Sequence, residues 1–356
     1  MRYVIITGEV SGDKIGAAIS KALQAQDAKA QIYAMGGQVL HQTDVEIVQD
    51  HTDLAVMGFS SLPKKGLLIR RAYKNVRQAI DKIKPNVIIY VDFAGFNMNL
   101  GRWAKRKGYK NIYIAPPKTW ASRSWRNRAI KRDFDLLLTL FPFTQEYFAS
   151  LDFPAQFLGH PLLATLKPVI NRSRSNPILI APGSRAQEIS STLPVLAKFI
   201  THSPESNFIV SKVPTIDHSL YHSYLGDINN VSVSEAPLSE LLPQASMAII
   251  TSGTATLEAA TMDIPQVVIY NTSYFNYHLA KKLILTDFIS LPNLILNRPL
   301  VPELIQQDLT VQKLEAAINS VSTNESALIE GYSQIRNMYG QDNPAAQMAK
   351  AIIELI

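Results

Sequence analysis

The sequence predicts an α/β protein built as two doubly wound parallel-sheet domains facing across a cleft. Three observations predict this class. Short β-branched runs alternate with amphipathic helical patterns, as in βαβ units. The alternation comes in two series, separated by the polar, patternless stretch "LATLKPVINRSRSNP". The length of 356 residues is also more than one core usually organises.

In the first series "YVIIT", "NVIIYVD", "NIYIA" and "LLLTLF" read as strands buried on both faces. The second series runs "PILIAPG", "NFIVS", "MAIITSG" and "PQVVIYN". The expected domains are therefore 1–165 and 175–340. Residues 341–356 follow as a closing helix, with the amphipathic stretch "NPAAQMAKAIIELI" from Asn343. That helix packs either on its own first domain or on a partner's in a homodimer, and the sequence leaves both open.

Composition narrows the chemistry. There are no cysteines, which excludes disulfides, thiolate nucleophiles and thiolate metal sites. No leader-like segment is seen, and no run approaches the roughly 20 apolar residues of a membrane-spanning helix. A soluble cytoplasmic protein is expected. The net charge of +6 hides an asymmetry. From Lys64 to Arg132 there are 19 Lys and Arg against two acids, a balance of +17, while the remainder holds 16 against 27, or −11. All three tryptophans, Trp103, Trp120 and Trp125, fall in that basic window. Cations mixed with indoles suit an anionic membrane surface. The amphipathic stretch "SSLPKKGLLIRRAYKNVRQAI" adds to it. A solvated basic face remains the plain alternative. No nucleic-acid motif accompanies the charges, so no nucleic-acid partner is expected.

Ligands of doubly wound sheets sit at the carboxyl ends of strands. That rule ranks four stretches. In "ILIAPGSRAQEI", Pro182, Gly183 and Ser184 make the turn, Arg185 follows, and a helix begins near Glu188. Free N–H groups at a helix start attract phosphate, and a guanidinium binds its oxygens in pairs. In "AIITSGTATLEAA", Ser252, Gly253 and Thr254 open a second such helix, and Glu258 lies one turn in, where it suits ribose hydroxyls. Two anion-binding turns in one domain suit a nucleoside diphosphate. In "IIYVDFAGFN", Asp92 ends a strand, placed either to take a proton from an attacking hydroxyl or to cap the next helix. The opening loop "GEVSGDKIG" matches neither G-x-G-x-x-G nor a P-loop. Its Glu9 repels phosphate but accepts from sugar hydroxyls, so this loop is expected to hold a sugar. Two spacings resemble metal sites without becoming ones. Asp133-x-Asp135 precedes its strand, and His218 and His222 lack a third ligand.

Together the motifs form an ordered set. They are "GEVSGD", "LAVMGF", Asp92 with Phe96-Asn97, Trp120, "FPF", "LGHPLL" with His160, "APGSRAQEI", "SGTATLE", "SLPNLI" with Asn293, and "VPELIQ" with Glu303. In this order the chain resembles the lipid-A-disaccharide synthases, glycosyltransferases of the GT-B class with two Rossmann-like domains. The resemblance implies that UDP-2,3-diacylglucosamine gives its sugar to the 6-hydroxyl of 2,3-diacylglucosamine 1-phosphate. The products are a β-1,6-linked disaccharide 1-phosphate and UDP, with inversion. It implies Asp92 as base, Arg185 at the diphosphate, and Glu9, Ser11 and Gly12 in the sugar-facing loop. Glu258 and Asn293 are placed near the nucleotide, and Asn97, Trp120, His160 and Glu303 on substrate-binding motifs. No metal or cofactor is implied, and both acylated substrates point to the inner membrane's cytoplasmic face. Three first-domain motifs depart from the family pattern. "DFAGFN" stands for D-A-P-D-F-N, "APPKTWASR" for S-P-x-V-W-A-W-R, and Thr144 for the Glu of P-F-E. These changes point to altered acceptor or acyl specificity. "GHP", "PGSR" and "SGTATLE" also fit other UDP-sugar enzymes, such as a UDP-N-acetylglucosamine 2-epimerase. The altered motifs fit a non-catalytic paralogue, against which the retained Asp92 and Arg185 argue.

Overall fold

The computed structural model describes residues 1–51, 62–272, 286–340 and 343–356. The motif "LAVMGF" at 54–59 lies outside the described residues. The chain divides into two compact units, Met1–Thr165 with Tyr339–Ile356, and Leu166–Met338.

The first unit holds a parallel sheet of β1 (Arg2–Ile6), β2 (Gln31–Gly36), β3 (Glu46–Asp50), β4 (Val87–Val91), β5 (Lys110–Ile114), β6 (Leu136–Thr139) and β7 (Ala155–Phe157). Its order is β3-β2-β1-β4-β5-β6-β7. The connecting helices include α1 (Val10–Gln26), α2 (Gln38–His41), α3 (Leu62–Ile83), α4 (Ala94–Arg106), α5 (Asn127–Asp133) and α6 (Pro142–Ala149). Side-chain alternation along β1 builds a layer on each side of the sheet. Tyr3 and Ile5 meet Ile15, Ile19 and Leu23 of α1. Val4 and Ile6 meet Val76 and Ile80 of α3 and Phe96 and Leu100 of α4.

The second unit repeats the plan with β8 (Ile178–Ala181), β9 (Phe208–Ser211), β10 (Val231–Ser234), β11 (Met247–Thr251), β12 (Gln266–Tyr270) and β13 (Glu303–Ile305). The order is β10-β9-β8-β11-β12-β13, again parallel. Its helices include α7 (Ala186–Thr201), α8 (His218–Leu225), α9 (Leu238–Leu241), α10 (Thr254–Thr261), α11 (Leu291–Leu296), α12 (Val311–Thr323) and α13 (Glu325–Tyr339). Much of the polar stretch read as a linker belongs to this unit. The Val169 N–H donates to the Met262 carbonyl at 3.0 Å, and Leu166 and Val169 pack on the unit's core.

The closing helix α14 (Pro344–Glu354) returns to the first unit. Pro344 starts it, and the Asn343 side chain accepts from Ala346 N–H at 3.2 Å. Its Met348 and Ile352 join the α1 layer of the same chain. Each contributes roughly 1.5–3 kcal/mol of burial. Both sheets reverse winding once. In the first unit the reversal lies where β1 pairs with β4, and in the second where β8 pairs with β11. Such switch points open a crevice at the carboxyl ends of the strands.

Candidate functional site

At the first switch point, β1 leads into Gly8 and Glu9, and β4 into Asp92 and Phe93. Gly8 is obligatory for packing: a Cβ there would stand 2.2 Å from ring atoms of Phe93. The Phe93 ring therefore lies against the opening loop, and it stacks on Phe96 at 5.4 Å. Glu9 is the exposed N-cap residue of α1, in extended backbone. Ser11 is exposed in the first turn, and Gly12 is buried where α1 approaches the Val91 carbonyl.

Asp92 and Phe93 both adopt left-handed backbone, with φ of 47° and 48°. Such residues cost of order 1–3 kcal/mol each and persist only when held. The Asp92 carbonyl is held by the Asn97 amide at 2.7 Å and by the Tyr113 hydroxyl at 2.7 Å. Both clamps are fully buried. Burial, and then the charge of Asp92, push the Tyr113 phenol well up, so it stays a donor. The bend leaves the Asp92 side chain exposed. Phe93, not Asp92, is the N-cap of α4. Asn97 is placed as a brace of this turn.

Asp13, the last residue of "GEVSGD", is buried and accepts from the N–H groups of Gly37, Val39 and Leu40 at 2.7, 2.8 and 3.3 Å. It caps α2. Burial raises its carboxyl, but His51 and these three donors outweigh that and hold it below the usual carboxylate range. Trp120 is half-buried, edge-on to Phe143 at 4.8 Å.

His160 is 3% exposed and accepts from Leu162 N–H through Nδ1 at 3.3 Å. Burial lowers its pKa to about 4. A lowered histidine favours the folded state above the unfolded value near 6.5 and loses that favour as pH falls toward 4. The first unit should lose about 3 kcal/mol of stability across that window. Asp13 titrates lower and leaves the window to His160. All three tryptophans lie in the first unit, so indole fluorescence during urea unfolding reads this unit. His160→Asn, which keeps the acceptor, should flatten the pH dependence. An unchanged slope in the variant would refute the assignment.

At the second switch point, β8 leads into Pro182, Gly183, Ser184 and Arg185, the N-cap of α7. Gly183 has φ +137°, and a Cβ there would meet the Glu188 side chain at 2.6 Å. Glu188 folds back over the turn. Its carboxylate accepts from Ser184 N–H at 2.9 Å, Arg185 N–H at 3.3 Å and the Arg185 guanidinium at 2.9 Å. An internal anion thus occupies the donors expected to cradle phosphate. β11 leads into Ser252 and Gly253, and Thr254 starts α10. The Ser252 hydroxyl donates to the Ile289 carbonyl at 2.7 Å. Glu258 lies half-buried one turn into α10. Tyr270, at the end of β12, has its phenol raised by burial and then by Glu188, against the opposing charge of Arg185.

Asn293 and Glu303 form a brace in the same unit. The Glu303 carboxylate accepts from Ile289 N–H at 3.0 Å, from Ser290 N–H at 2.9 Å and hydroxyl at 2.6 Å, and from the Asn293 amide at 2.8 Å. The Asn293 oxygen accepts from Leu300 and Val301 N–H, both at 2.8 Å. Glu303 therefore grips the Ile289–Ser290 backbone that receives Ser252, and Asn293 holds Glu303 in place.

The remaining clusters have structural partners. Asp133 pairs with Arg132 at 2.6 Å, and Asp135 pairs with Lys105 and accepts from Asn111 N–H at 2.9 Å. His218 and His222 are exposed, with rings 6.3 Å apart. Among the described residues no group of three or more His, Asp or Glu could hold a metal, and no helix is long and apolar enough to cross a membrane.

Sequence reading missed Glu188, Tyr113 and Asp13 as site-forming residues. Only Glu188 carried a signal, the N-cap to N3 spacing of a capping box.

Two doubly wound sheets, each with candidate residues at its own switch point, define the two-Rossmann GT-B class of nucleotide-sugar enzymes. The fold is similar to a UDP-GlcNAc 2-epimerase from Neisseria meningitidis solved with UDP-GlcNAc, with a TM-score of 0.68 and 14% identity over 100% of this chain and 99% of that one. In sequence the chain is 30% identical to the lipid-A-disaccharide synthase of Coxiella burnetii strain CbuG_Q212, over 99% of this chain and 98% of that protein. It is 32% identical to lipid-A-disaccharide synthase 1 of Legionella pneumophila strain Lens, over 91% and 88%. The chain belongs to the Lipid-A-disaccharide synthetase family, whose model matches residues 3–356. It is a glycosyltransferase enzyme of lipid A synthesis.

Proposed function

We propose that this enzyme transfers the sugar of UDP-2,3-diacylglucosamine to the 6-hydroxyl of 2,3-diacylglucosamine 1-phosphate. The observation that carries the reading is family membership over residues 3–356 with Asp92 and Arg185 both retained at switch-point loops. Asp92 takes the proton of the acceptor hydroxyl. The hydroxyl oxygen bonds to the anomeric carbon as the bond from that carbon to the diphosphate oxygen breaks. One displacement inverts the centre. The departing UDP carries the charge, and Arg185 with the N–H groups opening α7 and α10 stabilises it. Glu258 takes the ribose hydroxyls, and Glu9 with Ser11 takes hydroxyls of the sugar. Asn97, Asn293 and Glu303 hold these loops in place, and Trp120 and His160 shape the acceptor side of the first unit.

The basic first unit, with Trp125 73% exposed, docks on an anionic membrane surface. That association gives a cytoplasmic, peripheral location.

The test is transfer of radiolabel from UDP-2,3-diacylglucosamine to 2,3-diacylglucosamine 1-phosphate in detergent. A labelled disaccharide is expected. Turnover of unacylated UDP-N-acetylglucosamine without an acceptor, and no disaccharide, would replace this reading with an epimerase.

A further inference from the structure

A groove of about 710 Å³ runs along α3 and α4 in the first unit. Its cations are Arg70 and Arg77 from α3 and Arg102 and Arg106 from α4, and no acidic residue lines it. The spacings explain the walls. Residues 70 and 77 are two turns apart, and 102 and 106 one turn, so each pair shares a helix face. Phe96, Tyr73 and Trp103 add aromatic surface to the same lining. The Arg77 guanidinium sits 4.6 Å from the Trp103 ring centroid and 5.5 Å from that of Tyr73, which holds one cation in place.

Every cation that lines the groove is an arginine, although Arg71 of α3 does not line it. Lys74, Lys82 and Lys105 belong to the same two helices and do not line the groove. Guanidinium groups bind phosphate oxygens in pairs, whereas an ammonium acts as a point charge. Four guanidiniums converging on one groove offer paired donors at a single place, which a face that merely attracts an anionic membrane does not need. Four cations without a carboxylate suit a phosphate monoester, which carries about −1.5 to −2 charge at pH 7. The aromatic lining offers a surface for a ring or chain attached to it. Gly95, three residues beyond Asp92, lines the same groove.

We infer that this groove holds the phosphate monoester of an acylated sugar, the acceptor, an assignment that rests on Asp92 as the base of the proposed reaction. The test titrates the full chain calorimetrically with dodecyl phosphate below its micelle concentration. Wild type should bind it, and Arg102→Gln with Arg106→Gln should weaken binding at least tenfold. Both side chains are exposed, so the melting curve should not move. Arg70→Gln, on the opposite wall, should weaken binding by itself, which keeps the test independent of α4. Dihexanoyl phosphatidylglycerol, a diester, should bind at least tenfold more weakly. Equal binding of the diester overturns the assignment in favour of lipid docking. Undiminished binding of dodecyl phosphate by the variants overturns it outright. In the transfer assay the double variant should raise the acceptor KM at least tenfold with UDP affinity unchanged. If wild type transfers sugar and this KM does not move, the groove assignment fails and the reaction stands. If no acceptor is used but dodecyl phosphate binding depends on the arginines, the reaction fails and the phosphate site stands.

Discussion

Asp92→Asn should lower kcat for transfer by about 10²–10⁴-fold, the usual contribution of a positioned general base. The substitution keeps size and polarity and removes only the ability to hold a proton. The left-handed turn is secured through the Asp92 carbonyl by Asn97 and Tyr113, and asparagine is among the residues that tolerate that backbone. Folding and UDP affinity should therefore match wild type. Single-turnover kinetics beside calorimetric UDP titration separate the two effects. A variant that transfers at the wild-type rate would remove Asp92 from the chemistry. Tyr113→Phe gives a milder comparison, because it deletes one clamp on the carbonyl and leaves the carboxylate.

Arg185→Ala should reduce kcat/KM by about 10²–10³-fold, comparable to the loss of one preorganised donor to a developing anion. Arg185 is largely exposed and its pair with Glu188 is a surface one, so its removal should cost the fold under about 1 kcal/mol. Arg185→Lys should recover only part of the loss, since an ammonium is a point charge without the planar, preorganised fork of a guanidinium. Comparing kcat/KM with the melting temperature checks both statements. Transfer equal to wild type in the alanine variant would sink the diphosphate role. Diphosphate must also displace the Glu188 carboxylate from the Ser184 and Arg185 N–H groups, so UDP should bind more tightly to Glu188→Gln in calorimetric titration.

Much of the fold was legible because parallel strands are buried on both faces and read as continuous apolar runs. "YVIIT", "NVIIYVD" and "MAIITSG" became β1, β4 and β11. The strand ends then ranked the loops, and Asp92, Arg185 and Ser252 all lie at switch points. Edge strands were less legible. β3 and β7 are only half-buried, so their apolar signal is diluted. The bracing roles were hidden for another reason. Asn293 and Glu303 are ten residues apart in sequence and meet only through α11, and Asn97 reaches the Asp92 carbonyl only because two consecutive residues turn left-handed. A hydrogen bond to backbone leaves no trace in spacing. The arginine groove was invisible for a third reason. Its two walls come from helices that precede and follow β4 in the chain, and the charge count merged their four arginines with cations that do not line it.

The return of α14 to the first unit has a consequence for synthesis. The ribosome makes Met1–Thr165 first, yet the Met348 and Ile352 side chains that cover Ile15, Ile19 and Leu23 of α1 arrive last. At about 5–20 residues per second, the intervening Leu166–Met338 takes roughly 10–35 s to emerge. Throughout that interval α1 shows an uncovered apolar stripe, while the second unit is free to fold as a continuous piece of chain. The half with the earlier start is thus the later to finish.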